Sequence, residues 1–125
     1  GKYAQMLGDK MRVNKVNVWM INTGWTGGPY GTGNRMKLKY TRSMITAALD
    51  GKLNNVSFVQ DPVFGVAIPE NCPDVPSEVL TPRNTWADKG AFDEQAKKLA
   101  GLFIKNFEKY ASGVSAEILA AAPKA

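Results

Sequence analysis

Apolar residues recur at helical spacing from the start of the chain, where Tyr3, Leu7 and Met11 predict an opening helix. The period then changes. Val16 to Ile21 is β-branched and aromatic with Asn17 as its one polar break, and reads as a mostly buried strand. Between Asn22 and Asn34 the residues Gly24, Gly27, Gly28, Pro29, Gly31 and Gly33 predict a loop without regular structure. Strand followed by Gly-rich loop is a common place for a ligand in α/β proteins. Met36 to Lys39 predicts a brief strand. A helix follows, with Thr41 as its amino-terminal cap, Met44, Ile45, Ala48 and Leu49 on one apolar face, and Gly51 at its stop.

Val56 to Val59 and Val63 to Ile68 predict two strands joined by a turn at Asp61-Pro62. Pro69, Pro73, Pro76 and Pro82 then remove backbone donors and predict an extended connection over the surface. Val75, Val79 and Leu80 can pack that connection down, and Arg83-Asn84-Thr85-Trp86 offers polar groups to pin it. The strongest helix is expected from about Asp88 to Tyr110, where Phe92, Ala96, Leu99, Phe103, Phe107 and Tyr110 recur three and four apart. Asp93 and Glu94 early, with Lys97 and Lys98 four residues on, suit both ion pairing and the helix dipole. Ser115 to Ala122 predicts a final short helix.

Length and composition narrow the class. The chain has 125 residues, 44% hydrophobic and 22% charged, the size of one globular domain or a large piece of one. It opens on Gly1 within a helix-spaced stripe, so an excerpt of a longer protein is the expected reading. No apolar run approaches the roughly 20 residues of a bilayer span, so no membrane partner is expected. Cys72 is the lone cysteine, which rules out an intrachain disulfide and suits a reducing, cytoplasmic location. Beside Pro73 it has no activating neighbour and reads as structural. Sixteen Lys plus Arg against 11 Asp plus Glu give a net charge of +5, favouring anionic partners. Without a histidine there is no imidazole base, no catalytic triad and no usual zinc site.

The Gly-rich loop invites a phosphate-binding reading, because Gly28 and Gly33 have the four-residue gap of a Walker loop. That motif next needs Lys and then Ser or Thr, whereas this chain has Asn34 and Arg35. By spacing alone a flexible turn is the better reading.

The run from Asn22 through Asn34-Arg35 to Met36-Lys37-Leu38-Lys39-Tyr40-Thr41-Arg42 resembles the ATP-dependent phosphoenolpyruvate carboxykinase family. Asp61-Pro62-Val63-Phe64-Gly65, Pro76-Ser77-Glu78, Pro82-Arg83-Asn84-Thr85-Trp86 and the Ala121-Ala122-Pro123-Lys124 ending resemble later landmarks in the same order, so the resemblance covers essentially the whole chain. It implies an α/β fold, with residues 1–125 forming the carboxyl-terminal segment of the mononucleotide-binding lobe, incomplete as an isolated chain. It also implies a parent enzyme, a decarboxylating lyase of gluconeogenesis, that converts oxaloacetate and ATP to phosphoenolpyruvate, ADP and carbon dioxide. Mg²⁺ and Mn²⁺ would be held by ligands outside this chain, and the remainder of the catalytic domain would be its partner.

By the same resemblance Arg35, Met36 and Thr41 contact ATP on its adenosine side, and no catalytic or metal-ligating residue falls in the chain. The chemistry is suitable. A planar guanidinium can lie against a purine or bond ribose oxygens, the main-chain groups of Met36 can read an adenine edge, and a Thr41 hydroxyl can donate or accept. The family often has Lys where this chain has Asn34, so no phosphate contact is expected there. The isolated chain is expected to be inactive. The alternative from another class is a basic nucleic-acid-binding module, resting on charge and nearby aromatic residues without a recognisable motif.

Overall fold

A computed structural model describes residues 1–125. The chain mixes helices with short strands, compatible with an α/β class, and the strands form two separate two-stranded antiparallel hairpins. The opening stripe becomes helix α1, Lys2–Asn14. Strands β1, Trp25–Thr26, and β2, Asn34–Arg35, pair Trp25 with Arg35 and Thr26 with Asn34. Helix α2 spans Leu38–Leu49. Strands β3, Phe58–Gln60, and β4, Ala67–Pro69, form the second hairpin. Two single-turn helices follow, α3 at Ser77–Leu80 and α4 at Pro82–Thr85, then the long α5, Lys89–Ala111, and the short α6, Ala116–Ala120.

The periodic elements form where spacing places them. Asp88 caps α5 by accepting a hydrogen bond from the Ala91 amide at 3.0 Å, and Ser115 caps α6. Helix α2 ends as expected at Gly51, whose φ of 70° is open to glycine without penalty. There the Lys52 amide reaches back to the Ala47 carbonyl at 2.9 Å and the Gly51 amide to that of Ala48 at 3.3 Å, satisfying two carbonyls the helix leaves open. In the turn between β3 and β4, Asp61 accepts from the amides of Val63 and Phe64 at 2.9 and 2.6 Å.

Six expectations are corrected. Val16 to Ile21 forms no strand: its backbone makes no hydrogen bond within the chain, because a strand exists only beside a partner and this chain supplies none. Trp19 still stacks on Phe58 at 6.1 Å. The Gly-rich stretch is a hairpin rather than an unstructured loop, for a reason that lies in its tertiary ties. Met36 to Lys39 is not a strand, since only Lys37, the extended N-cap residue, separates Met36 from the helix that begins at Leu38. Thr41 therefore lies inside α2 instead of capping it; the apolar face starts one turn earlier than expected, at Tyr40, which packs with Met44 and Ala48 against the core. The proline-rich connection contains α3 and α4 rather than running extended. Pro76 precedes the first helical residue of α3 and Pro82 occupies it in α4, positions where a missing amide and a fixed φ do no harm. The sixth concerns α5, where Asp93 pairs with Arg83 rather than Lys97.

The core is small. Ala47, Leu53, Cys72 and Val75 form one buried cluster, with Trp19, Tyr40, Met44, Val79 and Leu80 packed against it. On α5 only Ala100 is fully buried, and Phe103 of the apolar stripe is 54% exposed. A folded monomer of 13.6 kDa exposes roughly 6,600 Å² by the usual size scaling. This chain exposes 9474 Å². The surplus is apolar in good part, with Tyr3 and Leu7 of α1 and Val16, Val18 and Met20 of the unpaired segment all exposed.

Arg83 grips Asp93 through two parallel hydrogen bonds, Nε to Oδ1 at 2.8 Å and Nη2 to Oδ2 at 2.9 Å, clasping α4 to α5. The hydrogen bond from Arg83 holds the Asp93 carboxyl below its usual pKa, with the Arg83 and Lys97 charges assisting. A carboxyl whose folded pKa is depressed stabilises the fold above its unfolded pKa, and that contribution is lost as pH falls through the folded value. Asp93→Asn in the full-length protein is therefore expected to lower the melting temperature slightly at neutral pH. The gap from the unmodified protein should close as pH drops below the ordinary carboxylate range; a gap independent of pH would contradict the clasp.

Candidate functional site

The Gly-rich hairpin hands over to α2 through Met36 and Lys37, and the handover forms one wall of a concavity of about 400 Å³. That volume falls within the range of small-molecule sites. Thr26, Asn34, Arg35, Met36, Lys37, Tyr40 and Val79 line it. Two of these tie the site to the core: Tyr40 of α2 and Val79 of α3 pack against the buried cluster and also face the concavity. Sequence reasoning missed both. Val79 lies in a proline-rich stretch with no ligand signal, and Tyr40 was obscured by the expected strand over Met36 to Lys39.

Arg35 and Met36 are brought together on this wall, as expected. The Arg35 guanidinium is exposed and makes neither an ion pair nor a hydrogen bond within the chain. Met36 offers only one of its two main-chain groups. Its amide donates to the Gly24 carbonyl at 3.0 Å, closing the hairpin, while its carbonyl accepts no hydrogen bond. Thr41 does not line the concavity. It sits partly buried in the first turn of α2, one residue beyond Tyr40, with its amide on the Lys37 carbonyl at 3.4 Å and its hydroxyl unused within the chain.

The electrostatics are one-sided. No acidic residue occurs between Asp9 and Asp50, whereas Arg35, Lys37, Lys39 and Arg42 surround the handover. Lys37 and Lys39 place their ammonium groups 5.9 and 5.0 Å from the centre of the Tyr40 ring, contacts that hold the lysines beside the site. An anionic ligand is favoured there. No three His, Cys, Asp or Glu side chains converge to hold a metal ion, so the residues present do not fit Mg²⁺ or Mn²⁺.

Cys72 is buried in the core cluster. Burial first, and the nearby Asp74 charge second, raise its pKa, so the thiolate is disfavoured and the residue has a packing role. No helix is long and apolar enough to cross a membrane.

The chain matches known proteins along most of its length. Residues 1–78 match the family described as phosphoenolpyruvate carboxykinase. The chain is 62% identical to the phosphoenolpyruvate carboxykinase (ATP) of Flavobacterium johnsoniae over 122 residues, covering 98% of this chain and 23% of that protein. It is 56% identical to the enzyme of the same name from Christiangramia forsetii over 122 residues, with the same coverage of 98% and 23%. With that of Thermus thermophilus it shares 56% identity over 124 residues, covering 99% of this chain and 23% of that protein. The chain thus spans about 23% of the length of these curated relatives. Nothing in the comparisons supports a nucleic-acid-binding module.

Proposed function

The chain belongs to the phosphoenolpyruvate carboxykinase family, and from that membership we propose that residues 1–125 are the carboxyl-terminal segment of the nucleotide-binding lobe of a cytoplasmic, ATP-dependent enzyme. The parent converts oxaloacetate and ATP to phosphoenolpyruvate, ADP and carbon dioxide. This segment holds the adenosine end of ATP, and the phosphoryl transfer and its metal ions are served by residues elsewhere in the parent.

One observation carries the reading: an unpaired guanidinium and an unpaired main-chain carbonyl, Arg35 and Met36, stand side by side on the wall of a concavity of nucleoside size. The Met36 carbonyl is an acceptor that no group of the chain engages. It therefore suits the exocyclic amino group of adenine, and would face the oxygen of guanine unfavourably. The guanidinium, 1,2-related to that carbonyl along the chain, can stack on the purine or reach ribose oxygens. Thr41 lies outside the lining, and its free hydroxyl, one residue beyond Tyr40, is assigned to the nucleotide by the family resemblance alone.

Holding the nucleoside fixes one end of the triphosphate. That orients the γ-phosphoryl group for in-line transfer, where positioning supplies much of the rate. The surplus exposed apolar surface on α1, α5 and residues 16–21 fits the same reading, since it packs against the remainder of the lobe in the parent. The experiment that tests the proposal is the effect of Arg35→Ala on the ATP KM of the full-length enzyme, set against its effect on the oxaloacetate KM.

A further inference from the structure

We infer that Thr85, far along the chain from Arg35, is a positioning residue for the nucleotide site, acting through the Gly-rich hairpin; the inference rests on the adenosine reading of that site. The Thr85 hydroxyl is used to capacity. Its Oγ1 donates to the Pro82 carbonyl at 2.7 Å and accepts from the Gly27 amide at 3.0 Å and the Thr26 hydroxyl at 3.3 Å. One donor and two acceptor lone pairs are the whole inventory of a threonine hydroxyl.

The post to which the hairpin is tied is itself fixed. Arg83 binds Asp93 of α5 through two hydrogen bonds, and the Lys89 ammonium donates to the carbonyls of Asn84 and Trp86 at 2.9 and 2.6 Å. Helix α4 is thus anchored to α5 without help from the Thr85 hydroxyl. The hairpin is the weaker partner, because two-residue strands with a single neighbour are marginal in water. Thr26 pairs across the hairpin with Asn34, the residue before Arg35, and Thr26 also lines the concavity. A shift at Thr26 and Gly27 therefore reaches Arg35 across one rung of the ladder.

Thr85→Val keeps the side-chain shape and removes the hydroxyl, leaving the Gly27 amide without its acceptor; Thr85→Ser keeps the hydroxyl. The test uses the full-length enzyme with these two variants and Arg35→Ala, measuring both KM values, melting temperature and hydrogen exchange of the segment containing Gly27. Thr85→Val is expected to raise the ATP KM about three- to tenfold, the loss typical of one or two such hydrogen bonds. Gly27 should exchange faster, the oxaloacetate KM and melting temperature should stay near those of the unmodified enzyme, and Thr85→Ser should restore the ATP KM. An unchanged ATP KM in Thr85→Val, where Arg35→Ala raises it, overturns the role of Thr85 and leaves the site standing. Equal rises in both KM values with a lowered melting temperature also overturn it, by marking a general packing role. If Arg35→Ala itself leaves the ATP KM unchanged, the adenosine reading fails and the inference falls with it, whatever Gly27 does.

Discussion

Replacing Arg35 by alanine in the full-length enzyme is expected to raise the ATP KM about 10- to 100-fold while leaving the oxaloacetate KM nearly unchanged. The magnitude follows from what the guanidinium does at the wall of the concavity. A hydrogen bond from a charged group contributes about 1.5–3 kcal/mol, and a cation over an aromatic face about 0.5–2 kcal/mol. Each 1.4 kcal/mol is about tenfold in affinity. Because Arg35 has no partner within the chain, its removal strands no buried group and the loss is read at the nucleotide alone. Lysine at the same position keeps the charge and loses the plane, so Arg35→Lys should recover only part of the affinity. Equal effects on both substrates would point to a disturbed fold, and no effect would place the nucleoside elsewhere.

Gly33→Ala is expected to be at least as damaging to ATP binding, although Gly33 does not itself line the concavity. A Cβ at this position would stand 2.6 Å from the carbonyl oxygens of both Gly28 and Thr26 and 2.8 Å from the Gly28 amide nitrogen. These are backbone atoms on the opposite limb of the hairpin, so no side chain can turn aside to make room. The limbs must separate, carrying Thr26, Asn34 and Arg35 with them. A displacement on the order of 1 Å can cost about 100-fold in a positioned site. Gly31→Ala is the control. It meets open space at φ 87°, so its cost is confined to a left-handed backbone, about 1–2 kcal/mol. Measuring the ATP KM of both variants separates the close approach from general loop strain; equal effects would contradict it.

Legibility in the sequence follows the range of the interactions. Helices α1, α5 and α6 were readable because their signals are local: a three-to-four residue spacing, Asp88 and Ser115 at the caps, and Gly51 after α2. The turn at Asp61-Pro62 was readable for the same reason, but it runs on through Phe64 and the strand expected from Val63 begins only at Ala67. Val16 to Ile21 was not, because its composition reports a tendency to pair and says nothing about whether a partner lies in the same chain. Single-turn helices among prolines were missed because proline opposes helix interiors but suits first turns, and α3 and α4 are little more than first turns.

The site was legible to a similar extent. Arg35 and Met36 were singled out through the family resemblance, and the structure places them on one wall. That the Met36 amide is committed to Gly24, leaving only its carbonyl, depends on hairpin closure and could not be read from spacing. Thr41 shares the first turn of α2 with Tyr40 but lies outside the lining. Thr85 was legible only as one of the polar groups that could pin the proline-rich connection, with no sign of a tie to the hairpin. Its importance arises from three partners, two of them on the distant hairpin.

The most direct measurement is a hydrogen-exchange footprint on the full-length enzyme with three ligands: ATP, adenosine and inorganic tripolyphosphate. ATP and adenosine are each expected to slow exchange in the segment covering residues 34–41, and tripolyphosphate alone to leave it unchanged. Protection there by tripolyphosphate but not by adenosine would put phosphate rather than purine at the hairpin's end, and would contradict the account.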